Sequence, residues 1–278
     1  MSLEEQAQPY VGKINYRKNL TPDLAIIQVQ PVDESSVPDF EAGQFVALGM
    51  KLDHDYNITY RPYSLSSPPE EKKYFEFYIK RAKEHMMSKF TDALFKMIEG
   101  DHLYWSKPAG AFTLEDKKAD GTPDTRRLVL VASGTGLAPF ISYILHLKNI
   151  ESRREVVLLH GARYMQELGY RDMLEKMSAS HQNFKYLPTV SRLDRELSRN
   201  WKGNIGRVES LLLGNAGCKS QLEIAARERV TPENSFFHIC GYPGTIDAVI
   251  SILNPLGFAT NRKKHNNGSF DIKIETYF

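Results

Sequence analysis

Arg61-Pro62-Tyr63-Ser64 sets a cation, an aromatic ring and a small hydroxyl side by side. Further along, Gly134-Thr135-Gly136-Leu137-Ala138-Pro139 offers a backbone with little side chain to shield it. In an extended segment side chains alternate, so Arg61 and Tyr63 share a face and Ser64 points across. A guanidinium fork suits a pyrophosphate, and a ring can stack on a flat heteroaromatic system. A hydroxyl can reach a ring nitrogen that takes up a hydride. The same four residues also suit an edge strand with a surface arginine and a half-buried tyrosine. The glycine turn lets the backbone approach a second pyrophosphate, and a helix starting near Pro139 aims its N-terminus at that charge. A tight strand-to-helix connection without ligand is the plainer alternative. Together the two motifs suit electron exchange between a flavin and a nicotinamide nucleotide.

Other residues extend each half. Glu76-Phe77-Tyr78-Ile79-Lys80-Arg81 follows the first motif at hairpin distance and could line the same ligand. Ser88, at a helix start, offers backbone N–H groups to a phosphate, a reading compatible with a plain cap. In the second half the run Val156-Val157-Leu158-Leu159-His160 leads into Gly161-Ala162-Arg163. Dinucleotide folds that prefer NAD place an acid at this strand end for the ribose hydroxyls. An arginine there favours a 2′-phosphate. Ser191-Arg192 follows the next strand, and Arg207 follows a Gly203/Gly206 turn. The three arginines could surround one phosphate dianion, although each alone also reads as a solvated surface residue.

Cys240-Gly241-Tyr242-Pro243-Gly244 closes a buried run, where a small polarizable thiol can pack against a nicotinamide or serve only as core. His160 reads as structural, since hydride transfer to a flavin needs no general base, and Cys218 is given no role. The chain finishes Glu275-Thr276-Tyr277-Phe278. Two terminal rings can cover a flat cofactor or simply pin the terminus. Glu275 can lie by the nicotinamide or be an ordinary solvated carboxylate.

Short strands with turns must position the first set. Leu24–Val29, Gln44–Leu48, Tyr74–Arg81 and Leu103–Trp105 read as strands, and their spacing predicts an antiparallel β-barrel. One helix interrupts them, with Ser88 as its cap, Phe90, Leu94 and Met97/Ile98 as its apolar stripe and Gly100 at its end. The charged stretch 115–126 lacks periodicity and marks a boundary, giving domains 1–121 and 122–278. Beyond it, apolar runs at Leu128–Ala132, Val156–His160, Tyr186–Val190, Phe236–Cys240 and Phe270–Ile274 alternate with helices at Pro139–Lys148, Tyr170–Met177 and Ala248–Leu253. That pattern predicts a doubly wound α/β domain with a mainly parallel sheet.

Composition sets limits. Hydrophobic residues make up 41 % and charged residues 25 %, an ordinary globular balance. A net charge of +2 gives no whole-chain case for nucleic acid. Two cysteines are too few for a disulfide framework or a four-cysteine iron–sulfur site. No residue pattern calls for a metal. The polar N-terminus reads as neither secretory signal nor transit peptide, and no apolar run reaches membrane length. A cytoplasmic protein, in the simplest case a monomer, is expected. Lys72, Lys73, Lys80, Arg81, Lys83 and Lys89 concentrate positive charge near the first motif and could steer an acidic partner, or could be a solvated face.

In this order, from about residue 10 to the end, the motifs resemble the ferredoxin–NADP reductase family, most closely its bacterial ferredoxin/flavodoxin reductases. The resemblance implies a two-domain enzyme binding FAD and NADP(H). Arg61, Pro62, Tyr63 and Ser64 would hold FAD, Tyr78, Ile79, Lys80 and Arg81 would line it, and Met86, Met87 and Ser88 would hold its pyrophosphate. Thr135 and Gly241 would touch the cofactors from the second domain, and Ala162, Arg163, Ser191, Arg192 and Arg207 fall on NADP positions. Ser64, Cys240 and Glu275 match the trio around the hydride path, with Tyr277 shielding the flavin and Phe278 the adenine. The implied reaction passes a hydride from NADPH to FAD and then single electrons to ferredoxin or flavodoxin. The terminal Phe278, the insertion around 117–125 and the stretch 212–232 depart from the pattern. Two alternatives stand beside it. One is an NADH-dependent flavin or cytochrome reductase, which would need no phosphate site. The other is a non-catalytic flavin- or nucleotide-binding subunit, free to lose site residues that this chain keeps.

Overall fold

The computed structural model describes residues 10–52, 57–82, 88–118, 120–193, 200–214 and 218–277. The chain divides into two units. One holds the residues up to Thr113 together with Ile141–His146, and the other holds Leu114–Phe140 and the residues from Leu147 onward.

The first unit carries six strands: β1 (Tyr10–Thr21), β2 (Leu24–Pro31), β3 (Phe45–Lys51), β4 (Ile58–Ser64), β5 (Phe75–Lys80) and β6 (His102–Trp105). They pair antiparallel in the order β4-β3-β6-β1-β2-β5. A bridge between Leu65 and Phe77 joins the two outer strands and closes the barrel. Alternation explains the filling. Phe75, Phe77 and Ile79 of β5, Val46 and Leu48 of β3 and Ile27 and Val29 of β2 all point into one core. Helix α1 (Ser88–Lys96) plugs this barrel with Phe90 and Leu94. It stops short of the expected end. Ile98 is exposed, and the last carbonyls are taken by Arg17, whose guanidinium donates to Leu94 O (3.2 Å), Phe95 O (3.0 Å) and Met97 O. A cation from β1 thus does the capping that the sequence suggests for Gly100.

The second unit is a six-stranded, wholly parallel sheet: β7 (Arg127–Ser133), β8 (Val156–Ala162), β9 (Phe184–Val190), β10 (Asn204–Ile205), β11 (Ser235–Gly241) and β12 (Ile272–Thr276). Its order is β10-β9-β8-β7-β11-β12. The helices along this part of the chain are α2 (Ala138–Asn149), whose residues Ile141–His146 group with the first unit, α3 (Arg171–Ser180), α4 (Gln221–Ala226) and α5 (Pro243–Leu253). Val129, Val131, Val157, Leu159, Phe237 and Ile239 cover one sheet face and pack on Leu222 of α4 and on Ile246, Val249 and Leu253 of α5. Burial on this scale is the dominant stabilising term, at about 25 cal/mol per Å² of apolar surface. Helix α4 lies in the stretch the sequence leaves unassigned. Its start is a capping box in which Ser220 and Glu223 exchange hydrogen bonds, so the Ser-x-x-Glu spacing was the available signal.

The charged segment 115–126 is anchored to this second unit. Arg126 forks onto Asp124 (2.6 Å) and Asp271 (2.8 Å) and stacks over Phe236, 4.9 Å from the ring centre. Lys273 meets Glu115 at 2.5 Å. No helix among the described residues is long and apolar enough to cross a membrane.

Candidate functional site

The barrel is stitched between β4 and β5 at one end only. Leu65 bridges Phe77, and Ser66 N–H donates to Glu76 O at 2.8 Å. Continuing that antiparallel register would set Tyr63 across from Ile79 and Arg61 across from Arg81, with Ser64 across from Tyr78, yet no ladder joins these pairs among the described residues. The result is an open seam lined by both predicted sets. Tyr63 rests beside Phe90 (ring centres 6.1 Å) and edge-on to Phe77 (6.5 Å). Burial pushes its phenol well above the ordinary range, so the ring stays neutral. Arg61 is half-buried and donates to Tyr60 O at 2.8 Å, which leaves most of its fork for another acceptor. Pro62 has no N–H to give, and on an outer strand it costs no ladder bond. Ser64, Tyr78 and Ile79 are buried. Lys80 pairs with Asp23 (3.6 Å) and Arg81 with Asp92 of α1 (2.5 Å), while Ala82 N–H donates to Thr91 Oγ1 (3.0 Å), so the end of β5 is tied to α1. An elongated ligand with a flat ring and a phosphate chain fits this donor set. Met86 and Met87 lie outside the described residues, as does the side chain of Ser88, which begins α1. The predicted basic concentration is partly neutralised, since Lys72, too, pairs with Asp39 at 2.8 Å, and Lys83 lies outside the described residues.

In the second unit the chain order reverses between β7 and β11, the point where parallel sheets bind ligands beyond their carboxyl ends. The glycine turn sits there as a single 3-10 turn, Gly134–Leu137, feeding α2. Gly136 and Gly241 permit its tightness. A Cβ on Gly136 would stand 2.3 Å from Cys240 O, and one on Gly241, at φ 144°, would stand 2.2 Å from Ser133 Oγ. Ser133 Oγ also accepts Tyr242 N–H at 3.2 Å, which ties the two strand ends together. Thr135 lies half-exposed in this turn.

Cys240 and Glu275 are register partners across β11 and β12, and the thiol points at the Glu275 carboxylate, 3.7 Å away. Tyr277 N–H donates to Gly241 O at 2.9 Å, and its phenol reaches the Cys240 sulfur. Three predicted residues therefore meet at one spot. Phe278 lies outside the described residues, and Ser64 belongs to the first unit. Burial, and then the Glu275 charge, push the Cys240 thiol well above its ordinary range, so it is a protonated, apolar-like group and no nucleophile. An unfolded chain loses this proton in the ordinary thiol range while the folded chain keeps it. The contribution to stability is therefore complete below that range and is lost as pH rises through it. Folding stability of the wild type is expected to fall more steeply between about pH 8 and 10 than that of Cys240→Ala in denaturant titrations. Parallel curves would refute the assignment.

His160 is fully buried. It hydrogen-bonds Tyr186 OH through Nδ1 at 3.0 Å, and burial holds it down at about 3. A permanently neutral imidazole fits the structural reading.

The phosphate-directed residues share the carboxyl ends of β8, β9 and β10. Arg163 follows β8, Ser191 and Arg192 follow β9, and Arg207 follows β10. Backbone bonds from Ser191 N–H to Ala162 O (3.0 Å) and from Arg192 N–H to Arg163 O (2.9 Å) carry the parallel ladder past the strands. Beneath lie Ala162, Leu168 and Val190 with Trp201, whose indole donates to Asn204 O at 2.8 Å. One residue here escaped the sequence reading. A 3-10 turn, Met165–Glu167, returns the buried Glu167 to the strand end, where its carboxylate accepts Arg163 N–H at 3.1 Å and meets the guanidinium at 3.4 Å. The four-residue Arg–Glu spacing was the only clue, and the intervening residues are not an α-helix. Two cavities of about 750 and 300 Å³ open at the opposite, amino-terminal edge of the sheet, around Asp271 and Arg127, and contain none of these residues.

Residues 12–114 match the oxidoreductase FAD-binding domain family, and residues 130–250 match the oxidoreductase NAD-binding domain family. A ferredoxin–NADP reductase of Pseudomonas aeruginosa is 28 % identical over 243 residues, covering 84 % of this chain and 86 % of that one. A component of the Na(+)-translocating NADH-quinone reductase of a Marinomonas species is 28 % identical over 204 residues, 71 % of this chain but only 46 % of that one. Among solved structures, a ferredoxin NADP+ reductase from Neisseria gonorrhoeae with bound FAD and NADP superposes with TM-score 0.77 at 27 % identity, covering 98 % of this chain and 100 % of that chain.

Proposed function

Since this chain belongs to the ferredoxin–NADP reductase family, a line of FAD- and nicotinamide-dependent oxidoreductases, we propose that it oxidises NADPH and delivers electrons singly to a ferredoxin or flavodoxin. The observation that carries the proposal is the meeting of Cys240, Glu275 and Tyr277 beside the glycine turn at the reversal point of the parallel sheet. A bound flavin accepts a hydride and gives up electrons one at a time, and the protein supplies position and electrostatics. In the first domain, proposed as 1–121, the β4–β5 seam holds the flavin. Arg61 would neutralise phosphate charge, Tyr63 and Tyr78 would offer aromatic surface to the ring system, and Ser64 would offer it a hydroxyl. In the second, 122–278, the backbone at Gly134–Gly136 accepts the nucleotide pyrophosphate. The protonated Cys240 thiol would offer the nicotinamide a small, apolar packing surface. Glu275 fixes that thiol by accepting its hydrogen, and Tyr277 excludes water. Arg163, Ser191, Arg192 and Arg207 receive the 2′-phosphate, which makes NADP(H) the nucleotide. The positive charge that the sequence concentrates at Lys72, Lys73, Lys80, Arg81, Lys83 and Lys89 would favour an acidic carrier as acceptor.

The carboxylate of Glu167 beside the end of β8 favours a second reading, an NADH-dependent reductase akin in chemistry to the Marinomonas relative. Anaerobic mixing separates the two. Purified protein is expected to be yellow, to bleach rapidly with NADPH and to bleach at least tenfold more slowly with NADH. Equal rates would replace the first reading by the second, and a coloured protein bleached by neither would leave a binding subunit.

A further inference from the structure

We infer that Glu167 is a specificity-determining residue that holds back the protein's own preference for a 2′-phosphate by competing for Arg163. The inference rests on the NADP reading above. Glu167 is buried, yet the short turn Met165–Glu167 returns it to the end of β8. One oxygen accepts the Arg163 backbone N–H at 3.1 Å, and the other stands 3.4 Å from the Arg163 guanidinium. The first bond fixes where the carboxylate sits. The second is long for a charge-assisted pair, which ordinarily closes to about 2.7–2.9 Å. The guanidinium is therefore engaged without being locked, and its side chain remains about one-third exposed. A phosphate dianion arriving beside Arg163 meets both an attractive fork and a fixed negative charge behind it. The ribose of NAD(H), which lacks that dianion, meets no such repulsion. The carboxylate is also the group that NAD-preferring folds use at this strand end to accept ribose hydroxyls. One strand end thus carries the recognition elements of both nucleotides, and the charge on Glu167 sets the balance between them.

Binding of 2′,5′-ADP and 5′-AMP to the flavin-loaded protein, measured by calorimetry, tests this without turnover. Glu167→Gln keeps an oxygen for the Arg163 N–H and removes the charge. It is expected to tighten 2′,5′-ADP about three- to tenfold, the range for deleting one like charge at a partly exposed ionic site, and to leave 5′-AMP unchanged or weaker, since its ribose loses a charged acceptor. In an Arg163→Gln background the same change is expected to have no selective effect. If Glu167→Gln does not fold, Glu167→Asp, which draws the charge back by one methylene, is expected to shift selectivity in the same direction by less. Unchanged or weakened 2′,5′-ADP binding, or an equal gain for both ligands, would overturn the inference while leaving the NADP reading intact. A wild type that binds 5′-AMP as tightly as 2′,5′-ADP would instead overturn the NADP reading itself.

Discussion

Gly136→Ala is expected to slow NADPH-dependent flavin reduction by about 100-fold while leaving FAD content unchanged. The added Cβ would stand 2.3 Å from Cys240 O, 2.5 Å from Cys240 C and 2.8 Å from Gly241 Cα. These are backbone atoms of a central strand and cannot swing aside as a side-chain tip would. Either the turn lifts off β11 or the end of β11 shifts, and both carry Cys240 away from its register partner Glu275. A displacement of about 1 Å at a reacting site costs on the order of 100-fold, and the overpacking itself costs about 1–3 kcal/mol. The flavin seam belongs to the other unit, so FAD retention should not change. Gly134→Ala is the comparison. Gly134 has φ 56°, and a Cβ there meets no protein atom within 4 Å, so alanine leaves β11 in place at a left-handed penalty of about 1–2 kcal/mol and is expected to slow reduction less than Gly136→Ala. Stopped-flow reduction of the two variants decides the matter, and equal rates for Gly136→Ala and wild type would remove the glycine turn from the nucleotide site.

Arg163→Ala combined with Arg192→Ala should lower the NADPH-to-NADH ratio of kcat/KM by about 100-fold or more, with NADH turnover kept within a few-fold. A hydrogen bond to a charged partner contributes about 1.5–3 kcal/mol, and two are removed. The backbone N–H of Arg192 donates to Arg163 O at 2.9 Å, so the two side chains leave adjoining strand ends and can address one dianion. Alanine removes both guanidinium groups but keeps that ladder, and the Trp201 cluster beneath is untouched. If NADPH and NADH turnover fall together, the arginines support the fold and the 2′-phosphate is bound elsewhere.

Much of this was legible in the residues. Alternation in Phe75, Phe77 and Ile79 announced a half-buried strand, and continuous apolar runs such as Leu128–Ala132 announced strands buried on both faces, because side-chain period reports burial directly. The glycine turn, the Arg-Pro-Tyr-Ser strand and the Cys240 segment could be read because short-range geometry and chemistry coincide in them. Strand β1, the shift of β12 to Ile272–Thr276 and the brief strand β10 were less visible, since half-exposed or two-residue strands carry weak periodicity.

The amino-acid sequence by itself determined the two-domain order, the parallel character of the second sheet and the residue types on which both proposed cofactor sites rest. Tertiary structure alone decided three things. The barrel seam stays open beside Tyr63 and Ile79, because strand pairing beyond Leu65–Phe77 depends on register across distant segments. Arg17, from β1, caps α1 in place of the nearby glycine, because a long cation reaching unsatisfied carbonyls leaves no local signature. Glu167 returns to Arg163, because a 3-10 turn, and no helical repeat, brings the carboxylate back to the strand end. Contacts between residues close in the chain follow from periodicity and composition, whereas contacts closed through space follow only from how the elements pack.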